Sequence, residues 1–185
     1  MYNDFLKAIG QFPAVFSAEE CRRIIELPLP SVAAGVQSRN GEAGQLDYES
    51  RRARERMVPP DAEHLWIYQR LATVVREANQ KAYQFRLSDF MTVAVLEYSP
   101  DGFFDCHMDL GTGVFAGRKL SLVTFLTPPE DYEGGDLCFM DGGQPLRLPQ
   151  GATVIFPSYL MHKVEPVTRG NRFTMVSWVH GPSFS

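Results

Sequence analysis

The chain has 185 residues, 44% hydrophobic and 22% charged, which suits one globular domain and excludes a disordered or fibrous chain. A formal net charge of -4 gives no general attraction for phosphate backbones, so nucleic acid is not an expected partner. Three cysteines, Cys21, Cys106 and Cys138, without Cys-x-x-Cys spacing argue against a disulfide framework and a thiolate zinc site, and reduced thiols are expected.

The N-terminal MYNDFLKAIG lacks a basic segment followed by an apolar run, and no apolar stretch of about 18 residues occurs. No membrane contact and a cytoplasmic location are therefore expected. Without heptads, the sequence leaves the oligomeric state open.

In chain order, Ser17 and Glu20 have capping-box spacing, which predicts a helix over about residues 17–27, ended by Pro28 and Pro30. From Ser31 to Pro60 no period is sustained, so strand fragments within a long loop are expected. Arg51, Arg52, Arg54 and Arg56 in this stretch read as a solvated face, with a substrate lid as the alternative. Asp61 can start a second helix to about Gln80, its apolar stripe built from Leu65, Leu71, Val75 and Ala78 with Trp66 and Val74.

After residue 89 the texture changes to short β-branched and aromatic runs: FMTVAVLEY, GFFDCHMD, KLSLVTFLT, DLCFM, PLRL, ATVIFP and RFTMVSWVH. Turns are expected at Glu133-Gly134-Gly135-Asp136 and Asp141-Gly142-Gly143. The expected fold is α+β in one domain over 1–185: helical and loop support over 1–89 and a catalytic β core of sandwich or barrel type over 90–185.

Two stretches carry the chemistry. In a strand, residues i and i+2 share a face, so His107 and Asp109 can present an imidazole and a carboxylate to one point. With His162 brought in by sheet closure, they match the two-histidine, one-carboxylate facial triad of non-heme Fe(II) oxygenases. Arg172 suits bidentate pairing with a carboxylate, the anchor a dicarboxylate cosubstrate would need. Tyr98 reads equally as a donor to that carboxylate or as a core tyrosine. Arg118, Ser121 and Thr124 read as pocket lining or as ordinary sheet packing, and Trp178 as a wall of the site or a barrel filler. Cys106 should face away from the metal, and His64 and His180 read as ordinary polar residues.

The segments YSPDGFFDCHMD, RKLSLVTFLTPPEDYEGGDL and FPSYLMHKVEPVTRGNRFTMVSW resemble the Fe(II)- and 2-oxoglutarate-dependent dioxygenases of the prolyl 4-hydroxylase type, especially bacterial PKHD-type hydroxylases. The resemblance runs from Phe90 to Trp178 and is weak in the N-terminal third, where substrate recognition would lie. It implies a double-stranded β-helix (jelly roll), with His107, Asp109 and His162 on Fe(II), Arg172 on the distal carboxylate of 2-oxoglutarate, and Tyr98 assisting. The implied reaction hydroxylates an amino-acid side chain, free or in a peptide or protein, prolyl side chains included. It uses O2 with ascorbate as reductant and releases succinate and CO2.

Three alternatives stand beside it. In an AlkB-type nucleic-acid demethylase a second arginine would stand where this chain has Trp178. A non-catalytic barrel binding protein and a zinc hydrolase using the same triad are the others, and neither needs a dedicated carboxylate anchor. The stretch Ser31 to Pro60 and the segment Gly111 to Gly117 (GTGVFAG) are expected to shape the substrate pocket.

Overall fold

The computed structural model describes residues 9–36, 45–88, 90–140 and 143–183. Part of the Ser31–Pro60 stretch (37–44) and two residues of a predicted turn (Asp141 and Gly142) lie outside them. In chain order the elements are β1 (Gly10–Phe12), α1 (Ala18–Ile25), β2 (Val32–Ala33), β3 (Arg51–Arg52), β4 (Arg54–Val58) and α2 (Leu65–Ala78). They continue with β5 (Met91–Tyr98), β6 (Phe103–His107), β7 (Arg118–Phe125), β8 (Glu133–Gly134), β9 (Leu137–Phe139) and β10 (Thr153–Pro157). β11 (His162–Val164), β12 (Val167–Arg169) and β13 (Arg172–His180) complete the order.

α1 starts as its sequence dictates: the Glu20 amide donates to Ser17 Oγ at 3.2 Å and the Ser17 amide donates to Glu20 Oε2 at 2.8 Å. α2 starts later than expected, at Leu65. Asp61 instead closes a turn, its Oδ1 accepting from the Glu63 and His64 amides at 3.1 Å and contacting His64 Nδ1 at 2.7 Å. The buried stripe of α2 is Ile67, Leu71, Val74, Val75 and Ala78, while Leu65 is exposed. The helix then widens into a π-turn over Asn79–Tyr83 and stops at Gln84, whose φ of 53° is left-handed.

The strands form a seven-stranded antiparallel sheet in the order β1-β10-β7-β13-β5-β4-β2 and a four-stranded one in the order β3-β6-β11-β9. From β5 onward the chain passes between them: β5, β7, β10 and β13 lie in the large sheet, β6, β9 and β11 in the small one. This alternation makes a jelly roll, because strands distant in sequence become neighbours.

Side-chain alternation divides the core. One face of the large sheet gives Ala94, Leu96, Tyr98, Val123 and Phe125 to a buried cluster with Leu137, Phe139 and Val164 of the small sheet. Its opposite face gives Val93, Val95, Leu120, Leu122 and Met175 to a second cluster that also holds Ile24, Ile67 and Leu71. Among the described residues no helix is long and apolar enough to cross a membrane.

Candidate metal centre

β6 and β11 pair antiparallel with His107 directly opposite His162, so the two imidazoles enter the space between the sheets side by side. β6 ends at His107, and Asp109 sits in the bend beyond it. The carboxylate therefore reaches the imidazoles from a turn and not from a continuing strand, which corrects the i, i+2 argument in its means. Asp109 Oδ1 lies 3.7 Å from His107 Nε2, and Oδ2 lies 3.7 Å from His162 Nε2. One ligand atom from each of the three lies within 4.8 Å of the others, the only such group of three among the described residues.

Backbone contacts set the ring orientations. His107 Nδ1 lies 2.8 Å from the Asp105 carbonyl and His162 Nδ1 lies 2.9 Å from that of Leu160. A carbonyl only accepts, so each Nδ1 carries a proton, and both Nε2 atoms face Asp109. Burial pushes His162 down to about 4, against the pull of Asp109, so its imidazole is neutral at physiological pH. Burial also opposes charge on Asp109, yet His162, His107 and Arg118 hold its carboxyl below the usual carboxylate range. Two imidazoles and one carboxylate are the donors a first-row divalent ion takes.

The pocket over these groups is lined by Tyr98, Phe104, Arg172, Thr174 and Trp178, among others. Arg172 is 1% exposed and all three of its guanidinium nitrogens are buried without a hydrogen-bond partner among the described residues. Gly135 makes room for it, since a Cβ there would lie 2.8 Å from Arg172 Cδ, and the glycine's φ of +66° would strain most other residues. A buried guanidinium held only by aromatic faces is a site prepared for an anion. The residues present thus fit both a divalent metal and a dicarboxylate.

Thr124 departs from the sequence reading. It shares the face of β7 that carries Leu122, away from the space between the sheets, and its Oγ1 is 2.8 Å from Thr153 Oγ1. Ser121 shares the inner face but pairs with Ser158 Oγ at 2.9 Å and does not line the pocket. Trp178 does line it, under the Arg118 guanidinium at 3.9 Å. Cys106 is exposed and outside the triad.

Arg51, read from sequence as part of a solvated face, is 7% exposed and lines the pocket. The signal that could have found it is tertiary: β3 pairs with β6, Arg51 opposite Phe104, and Phe104 stacks on His107 with ring centres 3.5 Å apart.

Comparison with known proteins gives concordant results. The profile described as the 2OG-Fe(II) oxygenase superfamily matches residues 93–180. The PKHD-type hydroxylase PiuC of Pseudomonas aeruginosa is 32% identical over 176 residues, 90% of this chain and 75% of that protein. The crystal structure of a Pseudomonas putida prolyl-4-hydroxylase superposes with a TM-score of 0.69 at 22% identity, covering 96% of this chain and 94% of that one. The viral collagen prolyl hydroxylase vCPH of Paramecium Bursaria Chlorella virus-1, in its 2OG complex, gives 0.70 at 20% identity, covering 95% and 97%. These two structures share the fold.

Proposed function

The chain belongs to the 2OG-Fe(II) oxygenase superfamily, and from that premise we propose that this dioxygenase hydroxylates a C–H bond of an amino-acid side chain and releases succinate and CO2. The substrate is free or part of a peptide or protein, and the prolyl hydroxylases that share the fold put prolyl side chains among the candidates.

The observation that carries the reading is the unpartnered Arg172 in the same pocket as His107, Asp109 and His162. A zinc hydrolase or a binding barrel does not require a buried cation without hydrogen bonds, which is costly to keep. His107, Asp109 and His162 would hold Fe(II), and Arg172 would take the distal carboxylate of 2-oxoglutarate, with Tyr98 directly opposite it on β5. Iron and cosubstrate together supply, with O2, the oxidising power that no protein side chain has. The chain's own work is to fix both imidazoles by their Nδ1–H bonds, keep Asp109 ionised, offer Arg172 as the anchor, and exclude water with Phe104, Val176 and Trp178. We read α1 and α2 as the brace that keeps the large sheet rigid, supported by the buried cluster they share with it.

The test is turnover of the iron-loaded protein with 2-oxoglutarate, ascorbate and O2 over amino acids and peptides, following succinate and a one-oxygen mass gain on the substrate. Succinate coupled to that gain, and lost in Asp109→Ala, is expected. Succinate no higher than in Asp109→Ala, from folded iron-loaded protein, would contradict the reading.

A further inference from the structure

Resting on that reading, the pocket holds a cationic group beyond the one the cosubstrate would occupy. Arg51 Nη1 donates to the Gly35 carbonyl at 2.7 Å, but its buried Nε has no partner and Nη2 makes no hydrogen bond among the described residues. Its guanidinium lies 4.4 Å from the centre of the Phe104 ring, whose other neighbour is His107, so the cation is fixed beside the metal ligands.

Arg118 lies at the edge of this pocket, against two of its lining residues, Asp109 and Trp178. Its Nη1 donates to the Asp109 carbonyl at 3.4 Å, its guanidinium sits over Trp178, and its buried Nε has no partner among the described residues. The charged groups acting on Arg118 are Arg51, Asp109 and Glu55. Among the described residues, neither arginine forms an ion pair with Asp109 or Glu55. Asp109 belongs to the metal, which leaves Glu55 as the remaining acid acting on Arg118. That excess of positive charge suits an anion brought in by the substrate.

We propose that Arg51, which lines the pocket, is a specificity-determining residue that binds a carboxylate of the substrate. The enzyme then favours a free amino acid held by its α-carboxylate, or an acidic side chain, over a neutral residue within a peptide. The planar guanidinium gives the bidentate pairing a carboxylate needs, and its stacking on Phe104 holds it in place beforehand.

The experiment loads the protein with Mn(II), which does not turn over, adds 2-oxoglutarate, and measures paramagnetic NMR line broadening of acetate against acetamide in the same tube. Acetate should broaden about tenfold more than acetamide in wild type, keep only part of that difference in Arg51→Lys, which retains the charge without the planar fork, and lose it in Arg51→Gln. Between N-acetylglycine and N-acetylaspartate α-amide, the probe that broadens more identifies an α-carboxylate or an acidic side chain as the source. The 2-oxoglutarate resonances, broadened in all three proteins, report that fold and centre are intact. Broadened 2-oxoglutarate with no acetate preference, or a preference that survives Arg51→Gln, overturns the proposal alone. Unbroadened 2-oxoglutarate in wild type overturns the underlying reading, and the proposal with it.

Discussion

Arg172 and Tyr98 stand directly opposite one another across the β13–β5 ladder, with the guanidinium carbon 5.3 Å from the centre of the tyrosine ring. Phe125 offers a second ring at 5.6 Å. Ring faces return part of what burial takes from a cation, yet leave its N–H groups free. The site therefore trades stability for readiness. Arg172→Met should raise the melting temperature of the ligand-free protein by a few degrees, about 1–3 kcal/mol, while weakening 2-oxoglutarate binding by at least about a hundredfold. Thermal melts with and without 2-oxoglutarate check both halves, and a variant that melts lower and still binds would contradict them.

The outward-facing Thr124 makes a contrasting case. Thr124→Val leaves the buried Thr153 hydroxyl unpaired and should cost about 1–3 kcal/mol with 2-oxoglutarate affinity unchanged. The double variant Thr124→Val, Thr153→Val should recover most of that loss, because both partners are then apolar. Denaturant unfolding of the three proteins measures it.

Metal removal has a defined signature. A ligand that binds only the folded state stabilises it by mass action. Fe(II) with 2-oxoglutarate should raise the wild-type melting temperature, a chelator should reverse the rise, and His107→Ala or His162→Ala should show little of either.

Alkaline pH should unfold the protein from the core. Burial pushes the Cys21 thiol from 9.0 up to about 11, with Glu20 adding to it. A folded-state pKa above the unfolded one gives stability that is present below about pH 9 and lost as the pH rises toward 11. The expected loss is about 2–3 kcal/mol, and Cys21→Val should flatten it. Leu71→Ala, on the buried face of α2, should cost about 2–5 kcal/mol at any pH.

Much of this molecule is legible in its sequence, and particular residues show why the rest is not. The α1 cap is local, so Ser17 and Glu20 announce it. His107, His162 and Arg172 stand at strand ends with turn signals near them, and the spacing carries their convergence. Thr124 misleads because every residue of β7 after Arg118 is buried, which erases the polar-apolar alternation that tells inside from outside. Arg51 misleads because its burial comes from the β3–β6 pairing, which joins segments some fifty positions apart, whereas its neighbours Arg52 and Arg54 are exposed.

The central claim, one centre holding Fe(II) and 2-oxoglutarate together, is tested most directly by anaerobic visible spectroscopy of the Fe(II) protein titrated with 2-oxoglutarate. A weak metal-to-ligand charge-transfer band should grow to saturation in wild type, need far more 2-oxoglutarate in Arg172→Ala, and be missing in His162→Ala. No band in folded, iron-loaded wild type, or an equal band in all three proteins, would contradict the assignment of the pocket.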